Sequence, residues 1–450
     1  MTTVSIMYRR NQNPNQYQML EAPPSSPLED LLLRSSTRIS ESLAAVPYTP
    51  HRAFNVSVKA FLEPLLLPTA SVKDLALACA LLCSSAFDYS GILSWIPSHL
   101  SSLAASSFSK LSSLYLAELG DGNRDVVVPP EKWLVLELMP EVLPLLKERI
   151  QESSIDKSDE SDEFSAASAR VPVGFAILAA FQLRWFITQV DCPHLGKLCG
   201  LVIPCALTAV DHWSAVVKGQ GMISLAHIGK NVDAAELGGY VDAVLDACCQ
   251  NTASDDEIWH LVVEASVVLV TLTQRNNPRS PWFERMLNEM ISHLERQPRN
   301  KERRIAWLKS ADSLFNGVGL VVLAHFRRIF PLFFQWMHAD DDETIILVLK
   351  CTYIICRLTW IRNSPFIAKL VDELAVVYKE AALRTVRVDI RANICEILIL
   401  LQESRGLHFN AAWDKHRSDP DLTILNLSLR ERSNTKTAFR GLSSAGFGTC

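Results

Sequence analysis

Between about residues 28 and 405, apolar residues recur three and four positions apart, the period of helices that bury one stripe. Period-two alternation occurs only in pieces too short for a strand. Helix start signals punctuate the pattern. Ser71 with Asp74 and Ser254 with Glu257 have capping-box spacing. Thr49-Pro50, Ser280-Pro281 and Ser364-Pro365 each put a hydroxyl before a proline at a first helical position. The expected fold class is all-α.

The pattern divides the chain. Residues 1–27 are rich in Asn, Gln and Pro and are expected to be disordered. Residues 28–150 form an N-terminal helical region. Residues 151–169, QESSIDKSDESDEFSAASA, are acidic and Ser-rich and cannot bury enough apolar surface to order themselves. They are expected to be a linker, whose serines are candidate phosphorylation sites on a common and unspecific pattern. Residues 170–405 read as helix pairs over 171–211, 214–251, 257–295, 301–338, 341–383 and 387–404. Their pitch of roughly 40 residues is that of HEAT and armadillo units. Residues 406–450 lose the periodicity and are expected to be mostly disordered.

Three places repeat an apolar-basic pair expected to open an inner helix: Val217-Lys218, Leu349-Lys350 and Ile390-Arg391. Lys350 and Arg391 are 41 residues apart, and Lys218 lies about three units before Lys350. Such units cannot cover their own apolar faces and must stack, which leaves a long surface for partners. The predicted architecture is a HEAT/armadillo-like helical repeat solenoid, an α-α superhelix.

Composition changes this picture little. Of 450 residues, 48% are hydrophobic and 21% charged, enough to bury a large core. The formal net charge of -5 argues against a general nucleic-acid binder. The 11 cysteines show no spaced framework, and several lie in apolar runs: Cys79, Cys83, Cys205, Cys351, Cys356 and Cys395. They read as reduced, buried thiols. The first 19 residues are polar and lack the apolar core of a signal peptide, so the expected compartment is cytoplasm, or also nucleus. The apolar stretches over 317–337 and 171–190 are interrupted by polar or charged residues and read as buried helices, with no membrane partner.

A search for chemistry yields weak candidates. There is no phosphate loop and no dinucleotide fingerprint, so no cofactor is expected. Cys192, His194, Cys199 and Cys205 cluster, but without paired Cys-x-x-Cys spacing, and core packing is the better reading than zinc. Cys192 and His194 are too close in sequence to read as a nucleophile and its base. His227, His260, His293 and His325 recur every 32 or 33 residues along the helical pattern and read as separate side chains. Asp340 to Glu343 lacks the spaced ligands of a calcium loop and fits a helix N-terminus. Gly219 and Gly221 lie inside a helical pattern and read as close-packing positions. The run around Arg303 and Arg304, RQPRNKERR, reads as a solvated loop or a contact for an acidic partner. With Lys350 and Arg391, these arginines form the candidate charged rim. No catalytic residue emerges, and the chain reads as a non-enzyme.

The stretch over 192–229 carries a resemblance. Pro193, His194 and Leu195 precede a helix with Pro204. An acidic turn at Asp211 then leads to Lys218, Gly219, Leu225, His227 and Ile228. This order resembles the Tel2-interacting protein family, specifically the second such subunit of the Triple-T co-chaperone complex. The family has two acidic residues at the turn, where this chain has Asp211, His212 and Trp213. The resemblance implies a scaffold subunit with two helical-repeat partners, Tel2 and the first Tel2-interacting subunit. Through them it would reach the ninety-kilodalton heat-shock chaperone and phosphatidylinositol-3-kinase-related kinases of DNA-damage and growth signalling. The alternative class is another repeat adaptor, such as a transport or phosphatase scaffold.

Overall fold

The computed structural model describes residues 26–47, 57–119, 128–153, 171–360 and 365–430, and among them every regular element is helical. The helices are α1 (Pro27–Ala45), α2 (Val58–Leu62), α3 (Val72–Ser84), α4 (Ser98–Glu118), α5 (Pro130–Glu152), α6 (Val173–Thr188), α7 (His194–Lys197), α8 (Cys199–Val210) and α9 (Ala215–Asn231). They continue as α10 (Ala234–Leu237), α11 (Val241–Gln250), α12 (Asp256–Thr273), α13 (Pro281–Arg296), α14 (Lys301–Val318), α15 (Phe326–Trp336), α16 (Asp342–Thr359), α17 (Phe366–Glu380) and α18 (Arg387–Trp413). A last helix, α19, spans 423–430.

The fold is a HEAT-like stack of helix pairs. The first helices of the pairs, α6, α9, α12, α14, α16 and α18, pack side by side in one row, and α3 extends that row at its start. The second helices, α8, α11, α13, α15 and α17, form the other row, which α5 opens. One continuous hydrophobic core runs between the rows from Ile39 to Leu429. The N-terminal helices therefore continue the array. The seam is bonded as well as packed: Gln182 donates to the Leu77 carbonyl at 2.9 Å, and Ser84 to that of Phe181 at 3.2 Å. Arg184 donates to the carbonyls of Ser84 and Phe87. Gln182 and Arg184, polar residues in an apolar run, thus sit inside a helix buried on nearly every side.

Local chemistry explains several helix starts. Ser71 and Asp74 form a reciprocal capping box, and the Ser280 hydroxyl accepts from the Trp282 amide. The carboxylate of Asp341 accepts from the Thr344 amide, so the acidic run caps α16. The expected box at Ser254 does not form. Asp255 is the N-cap of α12, while the Ser254 hydroxyl turns back to Asn251. Thr49-Pro50 and Ser364 lie outside the described residues.

Other expectations also shift. The expected boundary at residue 406 falls inside α18, which bends at Arg405 (φ -140°, ψ 35°) and runs on to Trp413. Phe409, Trp413, Leu422, Leu425 and Leu429 then bury against the array, and sparse anchors order this segment where periodicity is weak. Residues 431–450 lie outside the described residues, as do 1–25 and 154–170. The three apolar-basic pairs are not equivalent. Lys218 and Arg391 lie in the first turns of α9 and α18, whereas Lys350 lies in the middle of α16. The stretch Lys301–Trp336 has the length and apolarity of a membrane span, yet half of its most apolar window is buried. It breaks at Gly319 (φ 56°) into helices of opposite rows.

Side-by-side packing aligns the N-termini of α12, α14, α16 and α18 along one edge, and a charged ladder runs through them. Arg303 donates to Asp256 Oδ1 at 2.5 Å and to the Ser254 carbonyl at 2.8 Å, with its guanidinium 5.2 Å from the Trp259 ring. Arg304 bonds Asp341 and, at 2.9 Å, Thr344. Arg384 bonds Asp342 at 3.0 Å and the carbonyls of Ala339 and Asp340. The Arg303 hydrogen bond holds the Asp256 carboxyl below the usual carboxylate range.

Arg303→Met keeps the apolar stem on Trp259 and removes the charged rung. We expect it to lower the unfolding free energy by about 1–3 kcal/mol in urea titration. Lys350→Ala, at an exposed site, is expected to stay within about 0.5 kcal/mol of the parent.

Candidate protein-interaction surfaces

The stretch over 192–229 folds as the corner between α6 and α9. Leu195 and Leu225 are core residues. Pro193 and Asp211 are exposed on the loops at the two ends of α7–α8, and His194 opens α7 half-buried. His227, on α9, bonds the Val190 carbonyl at 2.7 Å and so ties α9 to the end of α6. Lys218 donates to Asn251 at 2.9 Å, which spans to the turn before α12. These positions build the repeat; among them Pro193 and Asp211 face solvent.

Residues far away in sequence lock the corner. Lys132 of α5 pairs with Asp191. The Tyr89 hydroxyl donates to the Val216 carbonyl at 3.2 Å, and the ring occupies the space that a Cβ on Gly219 would need. Gly221 is equally constrained, since a Cβ there would come within 2.8 Å of the Val210 backbone nitrogen. The two glycines thus admit Tyr89 and α8 against α9, the close-packing role expected of them. Ser153, at the end of α5, bonds His212 Nε2 at 3.3 Å, and its carbonyl accepts from Trp213 Nε1 at 3.2 Å. His212 Nδ1 accepts from the Ser214 amide at 3.0 Å. The turn over Asp211, His212 and Trp213 is therefore a built feature, a buried imidazole with a stacked tryptophan beside it. Sequence spacing could not reveal Tyr89, Lys132 or Ser153 as partners of this corner, because they lie 59 to 127 positions away.

Burial, helped by the Lys218 charge, pushes the His212 pKa down to about 4 against the Ser153 hydrogen bond.

The candidate rim resolves unequally. Arg303 and Arg304 are nearly buried rungs of the ladder, which corrects their reading as solvated or partner-facing residues. Arg391 donates to the Tyr378 carbonyl at 3.2 Å and stacks on that ring at 4.6 Å. Of the four residues, Lys350 alone is exposed. Sequence gave no hint of this, because a charge on a helix looks the same whether its partner is water or a carboxylate 40 residues away.

The chemical candidates disperse. Among the described residues no group of three or more His, Cys, Asp or Glu is placed to hold a metal ion. The Cys199 thiol donates to the Leu195 carbonyl and the Cys205 thiol to that of Leu143, and burial pushes Cys205 up to about 11. Cys192 is exposed. The four histidines have separate surroundings: His227 on Val190, His260 edge-on to Tyr89, His325 with Glu284 at 3.1 Å, and His293 in the last turn of α13. A cleft of about 540 Å³ lies between the α13–α14 and α15–α16 loops, lined by Arg299, Lys301, Arg304, Trp336, His338 and Asp341 among others. Its inner charges are already used. Arg304 is paired with Asp341, and His338 lies between Glu373 and Glu380 at 2.9 and 2.8 Å. Burial opposes the charged form of His338, but the two carboxylates outweigh it and raise the pKa.

Stacked helix pairs, pre-paired clefts and long exposed helix edges define a helical-repeat adaptor of HEAT type. No family model matches the chain. An uncharacterized protein of Arabidopsis thaliana is 52% identical over 415 residues, covering 89% of this chain and 94% of its own length. The chain belongs to that protein's family. TELO2-interacting protein 2 of Homo sapiens is 24% identical over 204 residues, which span 42% of this chain and 40% of the human protein. Among solved structures, an engineered protein aligns with a TM-score of 0.44 and 11% identity, over 90% of this chain and 97% of its own. A mutant of Kap121p aligns with a TM-score of 0.44 and 10% identity, over 90% of this chain and 49% of its own. Superpositions this loose carry no functional argument.

Gly219→Ala is expected to cost about 1–3 kcal/mol of stability through overlap with Tyr89. Combining it with Tyr89→Leu should recover part of that loss in a double-mutant cycle. His212 gives a second expectation. As pH falls, the unfolded chain takes up a proton near 6.5, before the buried imidazole does at about 4. Its stabilisation is therefore complete above pH 6.5 and is lost towards pH 4. Between pH 7.5 and 5 this amounts to about 2 kcal/mol. The urea midpoint of His212→Asn should fall less over that interval than the parent's.

Proposed function

We propose that this protein is a non-enzymatic scaffold subunit that joins a TELO2-type helical-repeat protein and the first Tel2-interacting subunit in a Triple-T co-chaperone complex. In that role it would help the ninety-kilodalton heat-shock chaperone mature and stabilise phosphatidylinositol-3-kinase-related kinases, in the cytoplasm or also the nucleus. The observation that carries this reading is the 204-residue similarity to human TELO2-interacting protein 2. The motif residues from Pro193 to Ile228 support it, because they shape the corner that joins the N-terminal helices to the later repeats. The non-enzymatic part rests on the helical-repeat fold, a stack of helix pairs whose buried rows form one core.

The test is affinity purification of the tagged full chain from plant cells, followed by mass spectrometry. Stoichiometric recovery of the plant counterparts of TELO2 and the first Tel2-interacting subunit is the expected result. Their absence from a well-folded preparation would sink the proposal.

A further inference from the structure

At three successive junctions of the second-helix row, a basic side chain reaches across to the neighbouring helix. Between α11 and α13, Arg285 donates to Asp246 at 2.8 Å. Between α13 and α15, Arg328 donates to Glu295 at 2.7 and 3.0 Å and to Asn288 at 2.8 Å. Between α15 and α17 the side chain is His338, in the turn that follows α15. Its Nε2 lies 2.9 Å from Glu373 Oε2 and its Nδ1 2.8 Å from Glu380 Oε2, both on α17. A guanidinium keeps its charge throughout, whereas an imidazole gains or loses its charge near neutral pH.

The geometry fixes the protonation state of this ring. A carboxylate only accepts hydrogen bonds, so an imidazole bonded to one at each nitrogen carries both N–H protons. His338 is therefore an imidazolium in this arrangement. Burial opposes that charge, but the bonds to Glu373 and Glu380 more than offset it and hold the pKa above the ordinary 6.5. In the cleft that the ring lines, Arg299, Lys301 and Arg304 act against the imidazolium, and Asp340 and Asp341 act for it. Arg304 is itself engaged by Asp341. Arg384, from the turn between α17 and α18, is engaged by Asp342 and by the carbonyls of Ala339 and Asp340.

Loss of the proton has no solution in place. A neutral imidazole has one N–H, so one carboxylate would face a bare nitrogen lone pair. Glu373 and Glu380 would also keep two negative charges with no cation between them. The other printed contacts of this junction lie in the first turn of α17, where Phe366 stacks on Phe330 at 5.1 Å and Lys369 sits 4.8 Å over Phe334. From Glu373 onward, His338 is the side chain that fastens α17 to the α15–α16 turn.

We propose that His338 is a proton-operated clamp, which closes the C-terminal half of α17 onto the α15–α16 turn when charged and loosens it on deprotonation as pH rises. The aromatic contacts at Phe366 and the Arg384 rung stay in place, so the change is local. The ring forms part of the cleft wall, so the same proton sets the shape of that cleft. A group whose pKa is raised by folding stabilises fully below its unfolded value of 6.5, and this contribution is lost as pH rises through the higher folded value. The clamp does not depend on which partner the scaffold takes.

The test is hydrogen–deuterium exchange on the full chain from about pH 6 to about pH 9, with protection corrected for the intrinsic pH dependence of exchange. In wild type, protection over residues 373–380 should fall several-fold across this range. Protection over residues 285–296 of α13, fastened by arginines, should stay level. His338→Lys keeps a charge throughout and should be protected and level. His338→Gln has no proton to lose and should be poorly protected and level. A level profile in wild type overturns the proposal. So does a pH response that survives in His338→Gln, which would belong to His416, the imidazole bonded to α17 through Asp372 at 2.8 Å.

Discussion

Each repeat depends on its first helix lying parallel to the one before it. Parallel neighbours place like ends together, so the partial positive charges of several helix N-termini share one edge. Aspartates occupy that edge, at Asp256, Asp341 and Asp342, and offset the dipoles. The arginines of following repeats, Arg303, Arg304 and Arg384, then bridge the aspartates. Hydrophobic burial drives the stacking, and the ladder sets the register in which it happens. A slip of one turn would leave nearly buried guanidinium groups unpaired, which costs more than any single surface ion pair contributes.

The same logic explains why the corner over 192–229 is dense with specific side chains. There the array turns from its N-terminal helices into the regular pairs, and the packing becomes closer than ordinary side chains allow. Gly219 and Gly221 provide the approach, Tyr89 fills the space made, and His227, Lys218 and His212 each satisfy a buried polar group on a neighbouring element. The stretch that carries the family resemblance is thus mainly an architectural joint.

What remains for partners is the surface that the ladder and the joint do not consume. One edge of the first-helix row is occupied by its own charges.

The helical class, the paired repeats and their pitch were legible in the sequence, because a 3.6-residue apolar period and proline or hydroxyl caps are local signals. Gly219 and Gly221 were legible as close-packing sites for the same reason. The destinations of the charges were not. Arg303 and Arg304 look like solvated loop residues, and Arg391 like a rim, until neighbouring helices bring a carboxylate, a carbonyl or an aromatic ring against them. Helical order past residue 405 was hidden because a few anchors such as Phe409 and Trp413, rather than a period, hold it. The sequence by itself determined which segments coil and which stripe of each is apolar. Only the tertiary structure decided which polar residues are structural, since that depends on contacts with other helices, 13 to 127 residues away, and local patterns carry no record of them.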